Sequence, residues 1–442
     1  MLSDIFATIS FSSVKTLLRE ISPARSKRPS DFPLAPLSLF SHRYSMCPKL
    51  LLSALVPSIL LPSFLIAQPR SDRDARFRQT SIRAEQNGLA EPYKGVTTNG
   101  EVQEDLFHIR STGVSTEPVR KAALALLKTL NPEQQAKTKF PIDDPEWRKW
   151  MNQHFYVRQG VGFDEMNPTQ RDAAFGLLKA SLSAKGLKLS KDIMNLNRTL
   201  GELNNNDFSQ YNELLYWITL MGEPSATEPW GWQIDGHHLI INYFVLGDQV
   251  VMSPVFVGSE PVIAESGQFR GTAILQDEQN QGLALIQTFD NIQKKKAIIQ
   301  SDKTRNNNLT EAFKDNAVLD YAGIKASELN SKQQAQLLDL VGLFVGNVDD
   351  GHAKALMSEV AEHLNETHFA WVGDTSEEAV FYYRIHSPVI LIEFDHQGPV
   401  GMRQYYPGRN PVRQHIHVVV RTPNGNDYGK DLLRQHLEKN HH

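Results

Sequence analysis

The chain has 442 residues, 40% of them hydrophobic and 22% charged, with a formal net charge of −4. That is enough apolar material for one large domain or two ordinary ones, and the acidic balance disfavours a nucleic-acid partner. The single cysteine, Cys47, lies near the N-terminus, so the rest of the chain has no disulfide, thiol nucleophile or thiolate ligand.

In chain order, Met46 is followed by Cys47, Pro48 and Lys49 and then by "LLLSALVPSILLPSFLIAQ", the pattern of an export signal. The run is too short and too broken by proline to span a membrane as a helix. Cleavage is expected after Ala67, with residues 1–45 read as lying upstream of the true start. Those 67 residues carry seven Lys/Arg and three Asp/Glu, so their removal takes the net charge from −4 to −8. The mature protein is expected to be periplasmic or extracellular, with no stable membrane anchor. Residues 68–92 are polar and aperiodic and are expected to form a flexible tether ahead of a single domain at 93–440.

From about 116 to 220 the apolar spacing of three and four predicts helices, including one over "DFSQYNELLYWITLMG". From about 230 to 300 the period falls to two, giving strands through "HHLIINYFVLGDQVVMSPVFVG" and "TAILQDEQNQGLALIQTF". A second helical block covers about 309–366 and a second strand block about 369–422, followed by a closing helix. "LNPEQQ", "MNPTQR" and "LNSKQQ" each place Gln three residues after Asn, the chemistry of a capped helix start. Their intervals share no period, so they are not read as a solenoid. The order predicts an α+β fold, with both strand blocks in one antiparallel sheet covered by helices.

The candidate chemistry lies at strand ends. In "HIHVVV", His415 and His417 share one face of a strand, a spacing by which β proteins hold Zn, Fe or Cu. "IEFDHQ" adds His396, and "DGHHL" adds His237 and His238, of which His238 is the expected partner. One divalent transition metal, held by His238, His396, His415 and His417, is therefore expected. Asp395 and Glu393 share a strand face and are candidates for the acid/base role. Trp230 and Trp232 in "EPWGWQ" are candidate stacking surfaces for a sugar or aromatic ligand. Arg413 and Arg421, flanking the histidines, are candidate anchors for an anionic group. In "VDDGHAKA", Asp349 and His352 read as a helix cap in preference to ligands.

The stretches "EPWGWQIDGHHLIINYFV", "DDGHAKA", "FYYRIHSPVILIEFDHQ" and "HIHVVVRTPNGNDYGKDLLRQH" resemble a family catalogued as domain of unknown function 3500, from about Tyr93 to His436. The resemblance implies a shared fold and carries no activity with it. The residues themselves point to a metal-dependent enzyme acting on a small molecule, hydrolytic in preference to oxidative. The alternatives are a metal-free binding protein with a Trp/His cleft, and a metal-free hydrolase or lyase.

Overall fold

The structure, a computed structural model, describes residues 70–440. The expected leader and the segment upstream of it lie outside the described residues. In place of the expected tether, Arg70–Gly88 forms helix α1. Its residues are polar nearly all round, so no apolar period marks it, and contacts with the next segments hold it instead. Glu85 accepts a hydrogen bond from the Tyr156 hydroxyl at 2.5 Å, Arg148 donates to the Gly88 carbonyl at 3.2 Å, and Phe77 stacks on Phe155 at 5.0 Å.

The remaining helices are α2 (Glu117–Thr129), α3 (Pro132–Thr138), α4 (Pro168–Ser181), α5 (Ala184–Leu203), α6 (Gln276–Gln287), α7 (Asn291–Ala297), α8 (Ser331–Val345), α9 (Asp350–Glu362) and α10 (Lys430–Asn440). The strands are β1 (Lys139–Phe140), β2 (Val161–Gly162), β3 (Tyr216–Met221), β4 (Trp230–Gly236), β5 (Leu239–Leu246), β6 (Gln249–Val251), β7 (Val255–Ser259), β8 (Ile298–Gln300), β9 (Ile324–Lys325), β10 (His368–Gly373), β11 (Phe381–His386), β12 (Leu391–His396) and β13 (Ile416–Arg421). The fold is α+β, and all 13 described strands join one mostly antiparallel sheet.

Three expected elements differ. The apolar run expected as a helix before Gly222 is strand β3, buried nearly throughout, which is why its spacing did not separate the two periods. The stretch "QDEQNQGLALIQ", expected as a strand, is helix α6. Leu309–Gly323, expected as a helix, contains none, because the amides of Leu309 and Thr310 donate to Glu393 and Phe313 adopts a φ of 63°.

The sheet order is β1-β3-β4-β5-β7-β13-β12-β11-β10-β8, which reads as two equal halves meeting at the β7/β13 pair. Each half opens with a short strand paired in parallel to its neighbour, Lys139 with Leu220 in one and Ile298 with Trp371 in the other. The helix caps repeat as well. Asn131 and Asn167 form capping boxes ahead of α3 and α4, and Asp290 and Asn330 form the matching boxes ahead of α7 and α8. The cap glutamines then pair across each half, Gln170 with Gln134 at 2.7 Å and Gln333 with Gln293 at 2.9 Å. The recurring Asn-Gln pattern therefore marks a tandem duplication. Its fourth member escapes a search for Asn because Asp290 stands there.

One face of the sheet packs its larger core, including Leu239, Val257, Phe394 and Val418, against α2, α4, α5, α6, α8 and α9. The other carries Ile240, Phe256 and Val419 with Trp147, Trp150 and Tyr428, covered by loops and α10. The candidate site lies on this second side.

Candidate metal centre

β13 pairs with both β7 and β12, placing His417 opposite Gly258 on one side and Asp395 on the other. His415 immediately precedes the strand, so alternation points the two rings the same way. A Cβ at Gly258 would sit 2.4 Å from the Ile416 carbonyl and 3.4 Å from the His417 ring, so glycine there leaves room for the imidazole. His238 arrives from the tight β4–β5 turn, where Gly236 pairs with Leu239 and His238 itself adopts a left-handed φ of 64°. That conformation is costly for most side chains and more accessible to His than to a β-branched residue. Its amide donates to the Asn152 carbonyl at 3.2 Å, and its carbonyl accepts from the Gly258 amide at 3.0 Å.

The three rings converge through their Nε2 atoms. His415 and His417 are 3.0 Å apart, His238 and His417 3.1 Å, and His415 and His238 3.4 Å. Three nitrogens each about 2.0–2.1 Å from one ion in tetrahedral or facial geometry stand roughly 2.9–3.4 Å from one another. Among the described residues these three histidines form the group able to hold a metal ion.

The opposite ring nitrogens explain why the Nε2 atoms are turned inward. His415 Nδ1 lies 2.8 Å from the Gly398 carbonyl, which can only accept, and His417 Nδ1 lies 2.7 Å from Glu311 Oε1. With the protons on Nδ1, these two rings face one another with Nε2 lone pairs at 3.0 Å, an arrangement that a cation between them relieves. Burial, with repulsion from neighbouring rings, holds His238 and His417 well below the usual imidazole range and so in the neutral, ligating form. Burial also raises the Glu311 carboxyl.

Glu260 anchors the supporting loop, its carboxylate accepting from the amides of Val400, Gly401 and Met402 at 2.7–3.1 Å. Above the rings lies a cavity of about 170 Å³, reached by Asn152, His154, Phe155, Tyr211, Asn306 and Gln397. The strip 151–158 roofs it. Arg158 stitches that strip to Asp235 at 2.9 Å, and α1 backs it through Phe155 and Tyr156.

His396 does not join the other three. It pairs with Ile416, so its ring falls on the opposite face of the sheet, where Nε2 meets Gln279 at 2.9 Å and Nδ1 meets the Phe381 amide at 2.9 Å. Asp395 and Glu393 share the His417 face but do not line the cavity. Asp395 binds Lys303 at 2.9 Å and accepts from the Asn307 and Asn308 amides, and Glu393 accepts from Leu309, Thr310 and Tyr382. Together they clamp the 303–311 segment on the sheet and so deliver Glu311 to His417.

Trp230 and Trp232 are fully buried core residues, Trp232 stacked on Tyr243, and neither offers a face to the cavity. Arg421 is buried against Asp315 and Asp427, each at 2.9 Å. Arg413 donates to the carbonyls of Glu377 and Ala379. His352 bonds to Asp349 at 2.6 Å and Asp349 caps α9, as the cap reading expected. The carboxylates that do reach the site, Glu260 and Glu311, carry no local motif. The His-x-His spacing and the His pair of "DGHHL" are the sequence signals that lead to the place.

Both halves contribute to the site, and only one of the two places that the duplication relates carries it. Leu239 pairs with Val257 and Leu391 with Arg421, so β7 and β13 correspond at an offset of 164 residues, and Ser253 and Val251 stand where His417 and His415 do. Ile390, just before β12, stands where His238 does. These three line a smaller cavity of about 70 Å³, which among the described residues has no metal-binding set.

Residues 112–430 match the family described as Protein of unknown function (DUF3500). The chain belongs to that family. The DUF3500 span contains all three converging histidines together with Glu260 and Glu311, whereas α1 precedes it. No curated protein and no solved structure matches the chain.

Proposed function

We propose that the protein is an exported, metal-dependent enzyme, hydrolytic in type, whose single divalent ion is held by His238, His415 and His417. The convergence of three Nε2 atoms within 3.4 Å of one another, beneath a cavity, carries the reading. Three protein ligands leave room for water or substrate, as catalytic sites do and closed structural sites do not. A divalent ion there would polarise a substrate carbonyl and make bound water acidic.

The chain's own groups supply the rest. Glu311 and the Gly398 carbonyl fix two imidazoles by their Nδ1 protons, and Glu260 holds the loop that carries Gly398. The Glu311 side chain remains 26% exposed and lines the cavity, which makes it the candidate to take up a proton there. Hydrolysis fits this pairing of a ligated ion with an adjacent carboxylate. The expected leader points to work outside the cytoplasm.

Elemental analysis of the purified protein tests the proposal. One transition-metal equivalent per chain is expected, lost in His415→Ala and His417→Ala, together with chelator-sensitive hydrolysis of ester, amide or glycoside reporters. Metal-free protein from metal-supplemented medium, or metal content untouched by both variants, would sink it. The N-terminal sequence of the exported chain checks the address, with Gln68 expected first.

A further inference from the structure

We infer that the cavity above the three imidazoles takes a neutral, hydroxyl-bearing ligand about the size of one sugar ring, in preference to a phosphate, sulfate or carboxylate. The inference rests on the metal-centre reading only in placing the ligand over the same three imidazoles.

Charge comes first. No described residue lining the cavity is Lys or Arg, whereas two, Glu260 and Glu311, are acids. The nearby cations are engaged elsewhere: Arg158 on Asp235, Lys303 on Asp395 and Arg413 on two backbone carbonyls. An anionic group entering the cavity therefore finds no side-chain cation to pair with.

Polarity selects further. Asn152, Gln153, Asn306 and Gln397 line the walls; Gln397 already donates to Asp395 at 2.6 Å and Asn306 already accepts from the Gly398 amide at 2.9 Å, which leaves mixed donor and acceptor capacity without a fixed charge. A carboxamide both donates and accepts, and so does a hydroxyl, so the two match without a fixed charge on either side. Phe155 and Tyr211 add ring surfaces for the C–H face of a sugar. The volume of about 170 Å³ gives room for one ring.

The test uses the full chain as purified, with metal content measured on the same sample. Methyl glucoside, the corresponding methyl glucuronide and inorganic phosphate are titrated and followed by calorimetry and saturation-transfer NMR. The glucoside is expected to bind, the glucuronide at least tenfold more weakly, and phosphate not at all within the same range. Gln153→Leu should weaken the glucoside about tenfold while metal content stays unchanged. Glucuronide or phosphate binding as tightly as the glucoside, or no glucoside binding at all, overturns the inference. Such a result in metal-loaded protein leaves the metal centre standing, whereas glucoside binding in protein that never holds metal sinks that centre and leaves this inference intact.

Discussion

At Glu311, one carboxylate oxygen receives the Nδ1 proton of His417 at 2.7 Å while the side chain stays partly open to the cavity. Partners of this kind orient a ligating ring and raise its basicity, and their loss typically costs 10–100-fold in metal affinity. Glu311→Gln is accordingly expected to weaken metal binding by one to two decades in competition with a chelator, with the circular dichroism spectrum unchanged. Unaltered affinity would remove Glu311 from the supporting shell. A second residue bears on stability. Glu146 is 3% exposed, and burial pushes its carboxyl up to about 7, with Lys149 at 3.5 Å offsetting only part of that effect. In this raised case the protonated form suits the folded state. Stability is full below the ordinary carboxyl value and is lost as pH rises through about 7, by up to roughly 3 kcal/mol. Glu146→Gln should flatten the decline in Tm between pH 5 and pH 8. An identical decline in the variant would assign it to another group. The sequence could show none of this, since neither Glu311 nor Glu146 sits in a recognisable pattern and both acquire their roles from segments far away in the chain.

Among the elements, the strands that carry chemistry were legible and several of the helices were not. Alternation fixed β5, β12 and β13, and it placed His415 and His417 on one face. Applied to His396, the same rule separates it from His417, because neighbours one residue out of step lie on opposite faces; the sequence did not reveal the register between β12 and β13. His238 was the right member of its pair for a different reason than strand alternation, since it occupies the β4–β5 turn with left-handed backbone. The acids of β12 were recognised as a shared-face pair, but their task is to clamp 303–311. Asp395→Ala should therefore act through that segment. It leaves Lys303 buried without its partner, a change that typically costs 3–5 kcal/mol, and it lowers metal affinity by loosening Glu311. If denaturant unfolding shows no loss of stability, the clamp is wrong. α6 was missed because its buried apolar residues, Leu283, Leu285 and Ile286, gather behind a polar first half, and α1 because almost none of its residues is apolar.

For the molecule as a whole, the duplication sets the terms on which the site exists. His238 comes from the first half and His415 and His417 from the second, and the halves meet at β7 and β13. An ion held by all three would tie the halves together. Such an ion would stabilise the folded chain by about 2.7 kcal/mol at a hundredfold excess over Kd. Metal addition should raise Tm by several degrees in the native protein and leave His417→Ala unmoved, and equal shifts in both would refute ligation at this place. The sequence carried the α+β class and the recurring caps but hid the two-fold, because only pairing along the sheet shows which capped helices correspond. Finally, α1 has a practical bearing on any work with this chain. Its Phe77 and Glu85 brace Phe155 and Tyr156 in the strip that roofs the cavity, yet it stands ahead of the family span. A gene trimmed to family limits would begin at 112 and omit that brace, so recombinant material shortened in this way should surrender its ion to chelators faster than the longer form, and a sluggish or inactive preparation would then reflect where the cloning started.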